Sequence, residues 1–282
     1  MASPPLITVV TPSFNQARFL ERAIQSVLLQ GYPALEYMAV DGGSTDESVS
    51  IIQKYSGALT WWCSERDKGQ ADAIAKGFAR ATGEVLCWLN SDDLFLPGAL
   101  EAVGQFFEEH PDAEVVNGGA YYIDEHDRPL RILSQCTYTR GVRASERRFR
   151  FYDPDGVWQV ATFWRRSAYS AVGGLRNLEF SMDHDLFLRL ASRQRFRVIP
   201  QYLSCFRVHP ASKSSNLDHV RVSDVQAIRR RYGVLDTSAL TRIAFYSWFR
   251  AESLCRKAVL HTRMLLGSER FPPARHERSH DS

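Results

Sequence analysis

The sequence has few cysteines for its length, and they form no recognisable pattern. Its 282 residues include five, namely Cys63, Cys87, Cys136, Cys205 and Cys255. No pair has the spacing of a zinc site, and an odd, scattered set is typical of buried thiols in a reducing compartment. We therefore expect neither a zinc site nor a disulfide framework.

Long hydrophobic runs are also missing. No window approaches the ~18 apolar residues of a membrane-spanning helix. Residues 1–5 lack the basic region and apolar stretch of a signal peptide. Neither a G-x-G-x-x-G pattern nor a P-loop occurs, which disfavours a dinucleotide-dependent oxidoreductase. These absences predict a cytoplasmic protein, either free or at the inner face of the membrane.

The charge is small overall but unevenly distributed. The net charge is +3, and the composition, 44% hydrophobic and 24% charged, is that of a folded protein. Residues 216–282 hold 12 arginines and lysines against seven acids, a net charge of +5, which leaves −2 for residues 1–215. The length allows one large domain with an appendage. Any attraction to anionic surfaces is therefore expected in the C-terminal part.

The first hundred residues predict alternating strands and helices. Apolar runs at 6–10, 37–40, 59–62 and 85–89 indicate buried strands, each followed by polar or glycine residues. The helical spacing of Leu20, Ile24 and Val27 indicates the first intervening helix. A Ser44–Glu47 capping box is expected to start the second. This order predicts βαβ units, a parallel sheet, and loops that gather at one sheet edge.

The second half is less regular. We expect strands at 115–122, 160–164, 196–199 and 202–206, the last two separated by Pro200, and a helix at 183–191. Residues 131–150 are basic and poorly periodic, which favours a loop. We predict a main α/β domain at 1–215, a basic helical extension at 216–270 and a disordered tail at 271–282.

Two adjacent acids end the fourth predicted strand, in the sequence Asn90-Ser91-Asp92-Asp93. Ligands of open α/β sheets bind beyond the carboxyl ends of the strands. Two neighbouring carboxylates repel each other unless a cation or a donor relieves them. A divalent metal that carries a phosphate would do so. The alternative is a polar loop before a helix, and we assign Asp93 to capping that helix.

The order of these motifs resembles that of the family 2 inverting glycosyltransferases with the GT-A fold, over residues 6–215. Residues 8–15 resemble the opening strand and loop of that family, and residues 40–46 resemble its Asp-Gly-Ser-Thr-Asp signature. Asn90-Ser91-Asp92 stands in the place of its metal-binding Asp-x-Asp motif. Residues 182–190 resemble its catalytic acidic motif. The fold implied is a mostly parallel α/β sheet with flanking helices, here followed by the helical extension.

The resemblance implies a nucleotide-diphosphate sugar donor, with UDP as the expected nucleotide, and a bound Mg²⁺ or Mn²⁺. Asp92 is the expected metal ligand, and His209 is a second candidate. The alternative for His209 is an ordinary core or surface residue that binds no ligand. Asn90 departs from the family pattern because it brings no charge. Arg207 and Lys213 are expected to lie on the side of the donor phosphates and to help bind them.

The resemblance also implies a donor-binding surface at the strand ends. Its expected members are Thr11, Pro12, Ser13, Asn15, Asp41, Asp67, Lys68, Gly69, Asp72, Asn90 and Ser91. The alternative to donor binding for Asp41 is formation of the turn that follows it. The alternative for Lys68 is a surface lysine that contacts only water. Many relatives carry asparagine where this chain has Ala75, so one polar contact of the family is expected to be absent.

Deprotonation of the acceptor hydroxyl requires a base. The resemblance assigns this role to Asp183, with Asp185 as the competing candidate. Trp158 and Gln159 are expected on the acceptor side. The acceptor is expected to be a carbohydrate or a lipid-linked molecule, and no nucleic-acid partner is expected. The basic C-terminal helices either touch an anionic membrane or pack on the catalytic domain.

The leading interpretation is a metal-dependent inverting glycosyltransferase of surface polysaccharide or glycolipid synthesis. A nucleotidyltransferase is the enzymatic alternative, but residues 12–16 lack the basic groups that a triphosphate needs. A degenerate member that binds a nucleotide without turnover is the other alternative, favoured by Asn90 and Ala75 and opposed by Asp92 and Asp183.

Overall fold

The computed structural model describes residues 3–133, 157–178, 181–194 and 196–212, together with the single positions 223, 224, 227, 228, 231, 258 and 262. Within residues 131–133 only the backbone is described. The predicted domain boundary at 215, most of the basic extension and the tail at 271–282 lie outside the described residues. In the part that is described, no helix is both long and apolar enough to cross a membrane.

The first half of the chain forms the alternating strands and helices that the sequence predicts. The strands are β1 (Ile7–Ser13), β2 (Leu35–Asp41), β3 (Trp61–Ser64) and β4 (Val85–Trp88), and the helices are α1 (Ala17–Leu28), α2 (Ser48–Lys54), α3 (Gln70–Arg80) and α4 (Ala99–Glu109). A short 3₁₀ turn, Ser56–Ala58, precedes β3. The four strands are parallel, in the order β3-β2-β1-β4. The predicted parallel sheet is therefore confirmed.

The sheet is buried on both faces, which explains the continuous apolar runs of its strands. Along β1, Val9 packs with α1 and α4 on one face, whereas Val10 packs with α3 on the other. Gly77 of α3 is a close-approach position, since a Cβ there would lie 2.6 Å from a methyl group of Val10. Helices on both faces of a parallel sheet make the layered α/β architecture.

The second half extends this sheet with mixed strands. They are β5 (Leu94–Phe95), β6 (Val115–Ile123), β7 (Pro129–Leu133), β8 (Thr162–Arg165) and β9 (Phe196–Arg207). The full order is β3-β2-β1-β4-β8-β6-β9-β5, with β7 paired to β6. Helices α5 (Arg166–Ala171) and α6 (Met182–Arg193) complete the described fold, and a 3₁₀ turn, Gln159–Ala161, precedes β8.

Three predictions about these strands need correction. The segments on either side of Pro200 form one strand, because β9 pairs with β6 both before and after a register shift and the exposed Pro200 is accommodated there. Strand β8 begins at Thr162 instead of Val160, which lies in the 3₁₀ turn. The predicted loop 131–150 begins as β7, and its remainder lies outside the described residues.

The predicted capping box at the start of α2 is wrong. The helix begins at Ser48, and the hydroxyl of Ser44 donates instead to a carboxylate oxygen of Asp41 at 2.5 Å. The amide of Ser48 donates to Asp46 Oδ1 at 3.0 Å. Asp46 therefore binds the first turn, while Ser44 belongs to the loop at the end of β2.

Candidate active site

Three parallel strands end at the same level. Ser13 pairs with Asp41, and Asp41 pairs with Ser64, so the loops that follow β1, β2 and β3 start side by side. The hydroxyl of Ser13, which is 4% exposed, has no hydrogen-bond partner among the described residues. Thr11 and Pro12 are buried just before it, and the Thr11 hydroxyl lies 3.0 Å from that of Tyr37.

Asp41 organises the loop after β2. Its carboxylate accepts hydrogen bonds from the amides of Gly43 (3.0 Å) and Ser44 (2.9 Å) and from the hydroxyl of Ser64 (2.7 Å). Asp41 is fully buried, so these donors compensate for its loss of water. The turn role that the sequence suggested for Asp41 is therefore present.

The β1–α1 loop is bound to the same turn. Asn15 adopts a left-handed conformation with φ of 51°. Its amide donates to Ser44 Oγ at 2.8 Å, and its side-chain oxygen accepts from the amide of Thr45 at 2.8 Å. Asp46 accepts from the amide of Ala17 at 2.9 Å. The two predicted donor-binding loops therefore form one hydrogen-bonded unit.

The loop before α3 stands next to this unit. Asp67 lies against Gly42, where an added Cβ would come 2.6 Å from its carboxylate. Asp67 also accepts from the amide of Gly69 at 2.8 Å, and Gly69 has φ of 110°. Asp72 accepts from the amide of Lys68 at 3.1 Å, and the Lys68 side chain is exposed. The resemblance placed all four residues at the donor site.

Asn90 lies at the centre of a chain of amide hydrogen bonds. Its oxygen accepts from Gln70 Nε2 at 2.7 Å, and its Nδ2 donates to Asp93 Oδ2 at 2.9 Å and to Gln159 Oε1 at 3.2 Å. Gln159 in turn donates to the carbonyl of Trp88 at 2.7 Å. An ionised carboxylate at position 90 could not donate to Asp93, so the neutral amide suits its surroundings.

The assignment of Asp93 to capping the next helix is wrong. The cap of α4 is Gly98, and Asp93 is 1% exposed. Its Oδ1 accepts from the amide of Arg207 at 2.9 Å. Burial, together with the neighbouring charge of Asp92, raises the pKa of Asp93 well above its ordinary value. Asp93 therefore joins the loop after β4 to the end of β9.

Asp92 is paired with His209. The Nε2 atom of His209 lies 3.1 Å from Asp92 Oδ2, and the imidazole packs on the ring of Phe19 at a centroid distance of 4.6 Å. The side chain of His209 is 2% exposed, whereas that of Asp92 is 19% exposed. The carboxylate therefore faces solvent more than its partner does. Ser91, beside it, is buried.

This pair fits the divalent metal that the family resemblance implies. Two ligands that each lie ~2.1 Å from one ion and at right angles to each other are about 3.0 Å apart. The oxygen and nitrogen of Asp92 and His209 have nearly that separation. Within the described ranges, no three His, Cys, Asp or Glu side chains form a metal-binding group. Mg²⁺ commonly takes its other ligands from phosphate and water.

Arg207, which the sequence analysis expected on the phosphate side, is buried among protein groups. It is 1% exposed, and its Nε donates to the main-chain carbonyl of Asp92 at 2.7 Å. Its other nitrogens contact the carbonyl of Asp124 at 2.8 Å and the carboxylate of Asp127 at 2.5 Å. Burial lowers the pKa of Arg207, against the neighbouring acids. Lys213, the other expected helper, lies outside the described residues.

The two acidic candidates at the start of α6 have different surroundings. Asp185 is fully buried, and its carboxylate pairs with Arg189 at 2.8 Å and with Arg176 at 3.0 Å. Asp183 is half-buried, and its Oδ1 accepts from the amide of the next residue, His184, at 2.8 Å. Asp185 is therefore held in a buried ion-pair network.

The two acceptor-side candidates lie in the 3₁₀ turn before β8. Gln159 joins the Asn90 network, as described above. Trp158 is half-buried, and its ring packs edge-on against Tyr122 at 6.0 Å. The sequence analysis missed Gln70, Phe19 and Asp127 in these contacts. No local sequence signal marks them, because each acts through a partner from a distant segment.

A comparison of the sequence with known families identifies the chain. Residues 8–173 match the family described as Glycosyl transferase family 2. The chain belongs to glycosyl transferase family 2. The match includes the loops after β1, β2, β3 and β4, whereas Asp183, Arg207 and His209 lie beyond its end.

Several curated relatives carry glycosyltransferase names. An uncharacterized glycosyltransferase of Nostoc sp. is 35% identical over 143 residues, which are 50% of this chain and 43% of that protein. Glycosyltransferase GlyG of Streptococcus pneumoniae is 34% identical over 125 residues, 43% of this chain and 41% of that protein. The chain thus spans less than half the length of these two relatives.

Solved structures show the same fold at low sequence identity. S. aureus TarS in complex with UDP-GlcNAc has a TM-score of 0.65 and 16% identity, covering 84% of this chain and 69% of that one. Mannosyltransferase PcManGT from Pyrobaculum calidifontis, in complex with GDP-Man and Mn²⁺, has a TM-score of 0.59 and 18% identity, covering 96% and 78%. The GT-A fold expected from the sequence is therefore confirmed.

Proposed function

We propose that this chain is a metal-dependent inverting glycosyltransferase, which moves a sugar from a nucleotide-diphosphate donor to a hydroxyl acceptor. The observation that carries the proposal is the pairing of Asp92 with His209 at 3.1 Å, at the end of β4. An oxygen and a nitrogen ligand at this separation suit one divalent ion. A bound Mg²⁺ or Mn²⁺ supplies charge neutralisation for the leaving diphosphate.

The donor nucleotide is proposed to lie against the loops that follow β1, β2 and β3. The hydroxyl of Ser13 supports this, because it is buried and lacks a partner among the described residues, as a group reserved for a ligand would be. UDP is the proposed carrier, by analogy with the UDP-GlcNAc complex of TarS; the GDP-Man complex of PcManGT makes GDP the alternative.

Asp183 is the proposed base for the acceptor hydroxyl. A catalytic carboxylate must reach the substrate, and Asp183 is half-buried at the first turn of α6. Asp185 is fully buried and paired with two arginines, which argues against it. In-line attack with Asp183 as base would invert the anomeric carbon. Trp158 and Gln159 are proposed to face the acceptor, a carbohydrate or a lipid-linked molecule.

The pathway and the cellular location are also proposed. A role in surface polysaccharide or glycolipid synthesis follows from the interpretation of the sequence. Contact of the basic residues 216–270 with an anionic membrane face would suit a lipid-linked acceptor. The proposed location is the cytoplasm, at the inner face of the membrane when such an acceptor is used.

The test is donor hydrolysis by the purified chain, with a panel of UDP- and GDP-sugars and with Mn²⁺ or Mg²⁺. We expect slow release of one nucleoside diphosphate, which is lost on chelation and in Asp92→Ala. Exposed Asp112→Ala is the matched control, since Asp112 pairs with Arg197 on the surface. Metal-dependent binding without hydrolysis calls for a supplied acceptor. If there is no hydrolysis and no metal-dependent nucleotide binding, the proposed metal site is contradicted and the degenerate member without turnover is favoured.

A further inference from the structure

The Asp92–His209 pair is assembled from two distant segments. Asp92 follows β4, whereas His209 follows β9, and 117 residues separate them in the sequence. Neither segment fixes the distance between the two side chains by itself. Some further contact must therefore set their relative position.

Arg207 contacts the segment of Asp92 in two ways. Its amide donates to Asp93 Oδ1 at 2.9 Å, and its Nε donates to the carbonyl of Asp92 at 2.7 Å. His209 is two residues further along the same chain. The guanidinium of Arg207 and the imidazole of His209 also share the ring of Phe19, at 4.8 Å and 4.6 Å from its centroid. Arg207 thereby links the two halves of the pair.

The position of Arg207 is itself set by the turn between β6 and β7. Its guanidinium donates to the carbonyl of Asp124 and pairs with the carboxylate of Asp127 at 2.5 Å. Asp127 also pairs with Arg22 of α1. Only 11% of the Asp127 side chain is exposed, so this charge is largely shielded from water. Asp127 is thus a largely shielded carboxylate that forms an ion pair with the buried arginine.

We propose that Asp127 and Arg207 are positioning residues, which set the geometry of the Asp92–His209 pair and thereby its affinity for a divalent metal. This inference rests on the proposed metal-dependent function. Asp127 lies in the turn between β6 and β7, and its ion pair with Arg207 is its link to the Asp92–His209 pair. Outer partners of this kind commonly change metal affinity by about 10–100-fold when they are removed.

Asp127→Asn is the decisive variant. Asp127 has φ of 63°, a left-handed conformation that asparagine adopts as readily as aspartate, so the substitution removes the charge without straining the turn. Glu125→Gln is the matched control, because Glu125 lies in the same turn and pairs with Arg18 at 2.8 Å on the surface. Arg207→Lys is the second variant, which keeps the charge but not the bond pattern.

The experiment measures Mn²⁺ binding by the full-length chain in excess UDP, from the electron paramagnetic resonance signal of free Mn²⁺. Crystal structures of the metal-free variants and their melting temperatures accompany it. We expect Asp127→Asn to weaken Mn²⁺ binding at least about tenfold and to widen the 3.1 Å separation of Asp92 and His209. Glu125→Gln should change neither quantity.

Unchanged Mn²⁺ affinity in Asp127→Asn, with the pair still at its original distance, would overturn the inference. Weakened binding with an unchanged distance would also overturn it, since the effect would not act through geometry. If the unsubstituted chain binds no Mn²⁺, the proposed metal-dependent function fails. The distance in the metal-free crystal structures then decides the positioning role independently.

Discussion

Asp93 accepts a hydrogen bond from the main-chain amide of Arg207 at 2.9 Å, although 114 residues separate the two. This bond joins the loop after β4 to the end of β9, the two segments that supply Asp92 and His209. A buried carboxylate with a raised pKa thus connects the halves of the proposed metal site. The acidic motif of this chain therefore has two roles, since Asp92 faces outward and Asp93 faces the interior.

The two acids at the start of α6 should respond differently to the same substitution. In Asp183→Asn we expect donor binding and folding stability to be kept, while transfer falls about 10²–10⁴-fold through loss of the base. In Asp185→Asn we expect the free energy of unfolding to fall by about 3–5 kcal/mol, because buried Arg189 loses its partner. Urea unfolding and transfer kinetics measure both quantities.

The reverse pattern would contradict this assignment. If Asp185→Asn folds normally and loses transfer, while Asp183→Asn stays active, Asp185 is the base. Each variant serves as the control of the other, since they change the same type of residue within one helical turn.

Asn90→Asp should make stability depend on pH. The new carboxyl would lie beside Asp92 and Asp93, so its pKa in the folded chain would exceed that in the unfolded chain. The folded state then binds more protons, and stability falls as the pH rises above ~4. We expect a loss of about 1–3 kcal/mol at pH 8 and a smaller loss at pH 5, measured by urea unfolding without metal.

Asn90→Ala is the control for that experiment. It removes the hydrogen bonds to Asp93 and Gln159 without adding a charge. The Asn90 donor lowers the pKa of Asp93, so the cost of Asn90→Ala should also grow with pH, but by less than that of Asn90→Asp, which adds a carboxylate. An equal pH dependence in the two variants would show that the site tolerates a third carboxylate without a cation.

Glu36 should contribute to stability at neutral pH and not in acid. Burial acts to raise the pKa of Glu36, but hydrogen bonds from Thr8, Thr82 and Gly83 hold it below its ordinary value. Its contribution is present above the unfolded value of 4.5 and is lost as the pH falls through the lower folded value. Glu36→Gln should cost about 1–2 kcal/mol at pH 7.

The measurement is urea unfolding of Glu36→Gln and the unsubstituted chain between pH 7 and pH 3. The difference between them should shrink towards acid pH. Exposed Glu101→Gln, on α4, is the control and should show no such trend. A difference that stays constant would mean that the charge of Glu36 contributes nothing.

Local patterns in the sequence predicted the first four strands and the order of their helices. Runs such as 85–89 are apolar throughout because both faces of the parallel sheet are covered, and the polar residues after them mark the strand ends. These are properties of consecutive residues, so one sequence reveals them. The family resemblance added the chemistry expected at those ends.

The wrong predictions share one physical cause, which is that the residues concerned contact partners far away in the sequence. Asp93 was assigned to a helix cap because its true donor, Arg207, is far away in the sequence. Ser44 was assigned to a capping box because its bonds to Asp41 and to the Asn15 amide depend on the folded loops. Pro200 suggested two strands, although pairing with β6 carries β9 past it. Periodicity and capping rules do not encode such contacts.

The most direct test of the central claim is pulsed electron paramagnetic resonance of Mn²⁺ bound to the full-length chain with UDP. The account predicts a nitrogen coupling typical of a directly bound imidazole, which disappears in His209→Gln and persists in Glu125→Gln. Loss of Mn²⁺ binding in Asp92→Ala should accompany it. An absent coupling in the unsubstituted chain, or one that survives His209→Gln, would contradict the proposal that Asp92 and His209 bind one ion.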